Sequence, residues 1–104
     1  MALNQINIFA VVAAVDPASI GAVGAGNTDV AVAGVVPGDY VIPIAPVTLE
    51  AGLAPQGATV PSAGTVRLRL TNASAGAIDG AALTWNFLII RIGQMVGEGS
   101  AFSG

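Results

Sequence analysis

The chain has 104 residues, of which 54% are hydrophobic and only 9% are charged, and its formal net charge is -3. It contains no Cys, His or Lys and only three basic residues, which excludes thiol and imidazole catalysis, the usual zinc ligands and a basic surface for nucleic acid. Its longest apolar run, residues 8–15, is too short for a membrane-spanning helix of roughly 20 residues, and residues 1–5 lack the basic start of a secretory signal peptide.

Low charge and high hydrophobicity together predict a surface that is partly covered by other chains. An ordinary soluble domain is about one quarter charged. This chain would stay soluble through a coat of Ser, Thr, Asn, Gly and backbone groups, through cover from other subunits, or through both. We expect an N-terminal apolar arm or strand at residues 1–15, a β-sandwich domain at residues 16–92 and a flexible Gly-rich tail at residues 93–104.

The first segment of the chain, residues 6–15, is apolar at nearly every position and rich in Ala and β-branched residues. Val and Ile favour strands, so the segment is predicted to be a strand or an arm that reaches another chain. A short buried helix is the remaining alternative. Four of its side chains are candidates for a subunit contact, namely Ile6, Ile8, Phe9 and Val11.

Turn signals then recur about every eight to twelve residues, which is the spacing of a β-sandwich or barrel. Residues 28–34 alternate between Thr or Val on one side and Asp or Ala on the other. Pro37 and Gly38 predict a type II turn, because Pro presets φ at the first central position and Gly accepts a positive φ at the second. Alternation resumes at residues 40–44, so a strand is predicted on each side of the turn.

The middle of the chain contrasts a Pro-rich stretch with a clear strand. Residues 45–61 are predicted to be mostly loop because Pro and Gly interrupt them, with at most a short strand at residues 59–60. Residues 65–72 show period-2 alternation, with Val66, Leu68 and Leu70 on one side. This pattern predicts a strand with one face in the core.

The other side of this strand carries Arg67 and Arg69. One interpretation is solvated charge on the outer face of a sheet. The other is a paired contact with an acidic patch on a neighbouring subunit, since Arg is suited to bidentate binding of carboxylates.

The last predicted strand, residues 82–92, is apolar on both faces in its second half. A strand in a small antiparallel sheet is expected to show one face to solvent, so this strand needs cover from elsewhere. We expect Leu88, Ile90, Ile92 and Arg91 to line a self-association face. In the tail that follows, Phe102 is a candidate anchor to a partner.

Other candidate sites have simpler explanations. The carboxylates are scattered and mostly lie beside Gly or Pro, which is typical of turn caps and lacks the spacing of a calcium loop. Trp85 and Tyr40 would form a sugar-binding platform if both were exposed, but a lone Trp in an alternating strand is typical of a core. The glycosylation sequon at Asn72–Ser74 is explained equally well by a turn. No phosphate-binding loop is present, since its Lys is missing.

Two stretches of the sequence resemble a known group of proteins. They are DVAVAGVVPGDYVI at residues 29–42 and SAGTVRLRLTNASAGAIDGAALTW at residues 62–85, with LEAGL at residues 49–53 between them. The chain is similar over about residues 28–92 to small phage virion proteins, including capsid decoration or cement proteins. The resemblance implies a compact all-β module, a β-sandwich or jelly roll, which is often trimeric and binds outside the major capsid protein.

The sequence therefore predicts a non-enzymatic structural virion protein that binds the outside of a phage capsid and bridges its capsomers. Its expected partners are the major capsid protein and copies of itself in a homotrimer, with no nucleic acid, membrane, cofactor or metal. It would be made in the bacterial cytoplasm and reside on the capsid exterior. The alternatives are a tail or fibre module that recognises a host glycan or protein, and an enzyme that uses Asp and Glu alone.

Overall fold

Alternating apolar and polar residues form six β-strands within residues 6–92, the part of the chain that the computed structural model describes. The strands are β1 (Ile6–Val15), β2 (Gly24–Ala31), β3 (Tyr40–Ile44), β4 (Leu53–Ser62), β5 (Thr65–Asn72) and β6 (Leu83–Ile92). None of the described residues is helical, and correspondingly none forms a helix that could cross a membrane. The predicted all-β class is confirmed.

The six strands form a single antiparallel sheet in the order β1-β6-β3-β4-β5-β2. This differs from the expected sandwich or jelly roll, which would need two packed sheets. The sheet curls until its two edge strands, β1 and β2, approach each other without forming a ladder. Its concave face thus closes around a core without a second sheet, as in a partly open barrel.

The core is filled by the inward-facing residues of all but the shortest strand and by three residues of the connecting loops. Trp85, Phe87, Leu68 and Leu70 are almost completely inaccessible, and the Trp85 and Phe87 rings are stacked with their centroids 6.4 Å apart. The remaining buried apolar residues are Val15, Ile20, Val30, Val32, Val35, Leu53, Val60, Val66 and Ile89. The predictions that Trp85 is a core residue and that β5 buries alternate side chains are confirmed.

The segment 6–15 forms a strand of its own subunit's sheet. It pairs with β6 along its whole length, from Ile6 opposite Ile92 to Val15 opposite Leu83. Of the alternatives that the sequence left open, the structure shows the strand, and its partner β6 is the other segment with an apolar outer side.

The prediction that residues 45–61 are mostly loop is wrong, because Leu53–Ser62 is a strand of 10 residues. Pro is tolerated here because β4 has a registered partner in β3 only at Ala58, opposite Val41, so Pro55 interrupts no ladder on that side. Register shifts relative to β5 between Pro55 and Gly57, and again near the end of the strand, absorb the irregular residues as β-bulges.

The predicted type II turn at residues 36–39 is confirmed. Gly38 has a φ of 99°, and the Asp39 N–H donates to the Val36 carbonyl at 3.1 Å. The Asp39 carboxylate also accepts the Val36 N–H at 3.0 Å, so it caps the turn from within.

Candidate functional site

One half of the sheet, formed by β1, β6 and β3, is apolar on its convex side as well as on its core side. The register aligns its side chains in rows, with Ile90 between Ile8 and Tyr40 and with Leu88 beside Ile42. We call this surface the apolar outer face. Its large members are Ile6, Ile8, Val12, Tyr40, Ile42, Ile44, Leu88, Ile90 and Ile92, and Ala10, Ala14, Thr84 and Asn86 complete it.

The apolar outer face is open and uncharged. Its six large side chains on β1 and β3 are each between 48% and 65% exposed, and those on β6 are partly buried between them. No Asp, Glu or Arg belongs to it. Scattered exposed apolar residues are normal on a protein surface, but a contiguous patch of this kind marks an interaction site.

Five of the predicted interface residues meet on this face. Ile6 and Ile8 lie directly opposite Ile92 and Ile90, and Leu88 continues the same side of β6. Sequence reasoning did not assign the β3 side chains to this surface. Their alternation was visible, but it could not tell which side of β3 faces the core.

The other three predicted contact residues from these strands, Phe9, Val11 and Arg91, lie on the opposite side of the sheet. They line a cavity of about 240 Å³ together with Ile89 and the loop at residues 33–35. The Arg91 guanidinium carbon lies 5.6 Å from the centroid of the Phe9 ring, within the range of a cation–π contact.

Arg91 also closes the loop between β2 and β3. Its Nε and Nη2 donate to the two carboxylate oxygens of Asp39 at 2.8 and 2.7 Å, and Nη2 donates to the Gly34 carbonyl at 2.8 Å. The hydrogen bond from Arg91 lowers the pKa of Asp39, against the opposing effect of burial. Arg91 therefore has an intramolecular partner, and its assignment to a subunit interface stays a prediction.

The other half of the sheet, formed by β4, β5 and β2, has a polar convex side. Arg67 pairs with Asp29, with Nε 2.8 Å from Oδ1, and this hydrogen bond lowers the pKa of Asp29. Arg69 donates instead to two neutral amide oxygens, those of Gln56 at 3.0 Å and Asn27 at 3.2 Å. The charge of Arg67 is therefore paired with a carboxylate of the same chain. The Arg69 guanidinium, by contrast, is held in position by neutral amide groups.

The aromatic platform that would favour glycan binding does not form. Trp85 faces the core and is fully buried, whereas Tyr40 lies on the apolar outer face opposite Ile90. The two rings therefore occupy opposite sides of the sheet.

The sequon residue Asn72 is a structural residue and is only 1% exposed. Its Nδ2 donates to the carbonyls of Ile20, Gly21 and Gly76 at 2.9 to 3.2 Å. Its Oδ1 accepts from the N–H and the hydroxyl of Ser74. The structure agrees with the interpretation of this motif as a turn, because the Asn72 side chain connects two loops to the end of β5 by hydrogen bonds.

The carboxylates of Asp29, Asp39 and Glu50 stabilise local structure by accepting hydrogen bonds. Glu50 accepts the Ala81 N–H at 2.6 Å, which lowers the pKa of Glu50 and links the loop before β4 to the segment before β6. Within residues 6–92, no group of three or more acidic side chains is arranged to hold a metal ion.

No family model, curated protein or solved structure matches this chain. The surface chemistry of residues 6–92 is therefore the basis on which a role is assigned.

Proposed function

We propose that this protein is a non-enzymatic structural subunit that assembles with copies of itself through the apolar outer face and decorates the outside of a phage capsid. The observation that carries the proposal is the row of half-exposed Ile, Val and Tyr side chains along β1 and β3, which contains no charge. An uncharged face cannot form ion pairs with a charged partner. A second copy of the chain presents the same apolar side chains and can bury those of the first.

The free energy gained by burying this face suits a subunit that is present in many copies on one shell. Complete burial of a large apolar side chain contributes about 1.5–3 kcal/mol, so a half-exposed one stands to gain about 1 kcal/mol. Six such side chains per copy would give a pair on the order of 10 kcal/mol. Association costs about 4–15 kcal/mol. Isolated copies should thus associate modestly, and repeated contacts on a shell would reinforce them.

The assembly we favour is a homotrimer, with three apolar outer faces turned towards a common threefold axis. Each face would then be covered by its two neighbours, and the polar half of each sheet would remain outside. Attached across the junctions between capsomers, such trimers would resist separation of the major capsid protein, because the shell could open there only by breaking these contacts. The resemblance of residues 29–42 and 62–85 to phage decoration proteins supports this setting.

A matched pair of charge substitutions tests the assembly. Ile42→Lys places a charge on the apolar outer face beside Leu88, whereas Val47→Lys places the same charge on a fully exposed apolar residue of the loop after β3. In sedimentation velocity runs, Ile42→Lys should be monomeric while Val47→Lys matches the unmodified protein. Equal behaviour of the two variants would contradict the assignment of the face.

Attachment to a virion is tested separately with an antiserum against the purified protein. Labelling of the outer surface of phage heads in electron micrographs supports a decoration role. Labelling confined to tails or fibres would instead support the recognition module, and absence of label from intact particles would contradict both.

A further inference from the structure

The polar half of the sheet carries a second surface that does not depend on the apolar outer face. Asn27 on β2, Gln56 on β4 and Arg69 on β5 converge on its convex side. Gly57, Thr59 and the ion-paired Arg67 flank them. We call this group the donor notch. It borders an open cavity of about 430 Å³.

A β-bulge builds the donor notch. Pro55 lies opposite Leu70 and Gly57 lies opposite Arg69, so Gln56 is an extra residue without a partner in the ladder. Gly57 has a φ of 149°, a conformation that L side chains rarely adopt. Bulges of this kind re-aim a side chain, and here the Gln56 side chain is turned onto Arg69.

The contacts inside the notch leave hydrogen-bond donors on its surface. The Gln56 and Asn27 carbonyl oxygens both accept from Arg69, which directs the two NH2 groups away from the guanidinium. Among residues 6–92, neither NH2 group donates to another protein atom, and no carboxylate lies within ion-pair distance of Arg69. Arg67 and Arg91, by contrast, each hold an aspartate.

We infer that the donor notch binds a carboxylate from an acidic segment of a partner protein. A cation without a counter-charge, flanked by two outward amide donors, is complementary to an anion with several lone pairs. A single Arg matches the single charge of an Asp or Glu side chain. A neutral sugar would need acceptors as well as donors, and the amide acceptors nearest to Arg69 are already engaged.

The test is a nitrogen-15 NMR titration of the full chain with a hexaglutamate peptide. The Arg69 Nε–H signal and the side-chain NH2 signals of Asn27 and Gln56 should shift saturably and together. Arg69→Gln should weaken binding at least about tenfold, as expected for loss of a charge-assisted contact. Gln56→Glu should abolish binding, because the new carboxylate occupies the notch from within.

The control is the double variant Asp39→Asn with Arg91→Gln, which removes the ion pair in the other half of the sheet without changing the net charge. It should bind hexaglutamate as the unmodified chain does, with dispersed spectra as the check on folding. Absence of shifts at millimolar peptide, or equal losses in the control and in Arg69→Gln, would overturn the inference. Binding of polygalacturonate without binding of hexaglutamate would also overturn it, in favour of an acidic glycan.

Discussion

Asn72 is the polar side chain whose removal should cost the fold most. Asn72→Ala removes a hydrogen-bond network at the end of β5, in which the two Nδ2 protons are shared among three loop carbonyls and Oδ1 accepts from Ser74. Each such bond is worth about 0.5–1.5 kcal/mol. The Ile20 carbonyl keeps the Ile78 N–H and the Gly76 carbonyl keeps the Ser74 hydroxyl, so part of the network survives. We expect the free energy of unfolding to fall by about 2–4 kcal/mol, which is a large share of the 5–15 kcal/mol that is typical of native proteins.

Urea denaturation followed by the fluorescence of Trp85, the only Trp and a buried one, measures this loss directly. Thr48→Ala is the control, because it removes an exposed polar side chain from the loop after β3 and should change stability by less than about 0.5 kcal/mol. An Asn72→Ala variant that unfolds at the same urea concentration as this control would show that the Asn72 hydrogen bonds add no net stability.

Asn72→Asp adds a pH signature to the same test. A carboxylate would face the three carbonyl oxygens that now accept from Nδ2, so burial and repulsion raise its pKa above the unfolded value of about 3.9. The deficit relative to the unmodified chain should therefore be full at pH 7 and shrink as the pH falls towards the unfolded pKa. A deficit that is the same at pH 7 and pH 3 would contradict this account.

Three further predictions concern stability. The pKa of Asp39 is lowered in the folded state, so its pairing with Arg91 stabilises the fold at pH values above the pKa of Asp39 in the unfolded chain. This stabilisation is lost as the pH falls through the pKa of Asp39 in the folded state. Asp39→Asn should therefore make the unfolding free energy, measured by urea denaturation, less dependent on pH in the acid range. Gly52→Ala should destabilise more than Gly38→Ala in thermal melts, since both have a φ of 99° but only the Gly52 methyl would meet side chains, at 3.0 and 3.2 Å. Val23 has a φ of 51° and is 80% exposed, so Val23→Gly should raise the unfolding free energy by up to about 1 kcal/mol, and a lower melting temperature would count against strain there.

The sequence predicted the elements whose patterns are local. The alternation of β5 and the Pro37-Gly38 turn depend only on nearby residues, and both appear as expected. β4 was missed because Pro55 and Gly57 are usual strand breakers. They are tolerated through a bulge and a missing ladder partner, which are properties of neighbouring strands.

The candidate surfaces were predictable only in part, for the same reason. Period-2 alternation tells which side chains share a face, but it does not tell which strands lie side by side. Ile8 and Ile90 were each singled out, yet only the β1–β6 register places them on one surface with Tyr40. The Gln56 contact with Arg69 arises from a bulge that no local pattern announces. The predicted anchor Phe102 lies outside residues 6–92 and stays a prediction.

Self-association is measured by the solution mass of the unmodified protein, using size exclusion with multi-angle light scattering over a range of concentrations. We expect a self-associated species with a trimer as its limiting mass, formed by the time the protein reaches about 100 μM. A strictly monomeric protein at that concentration would contradict self-association through the apolar outer face.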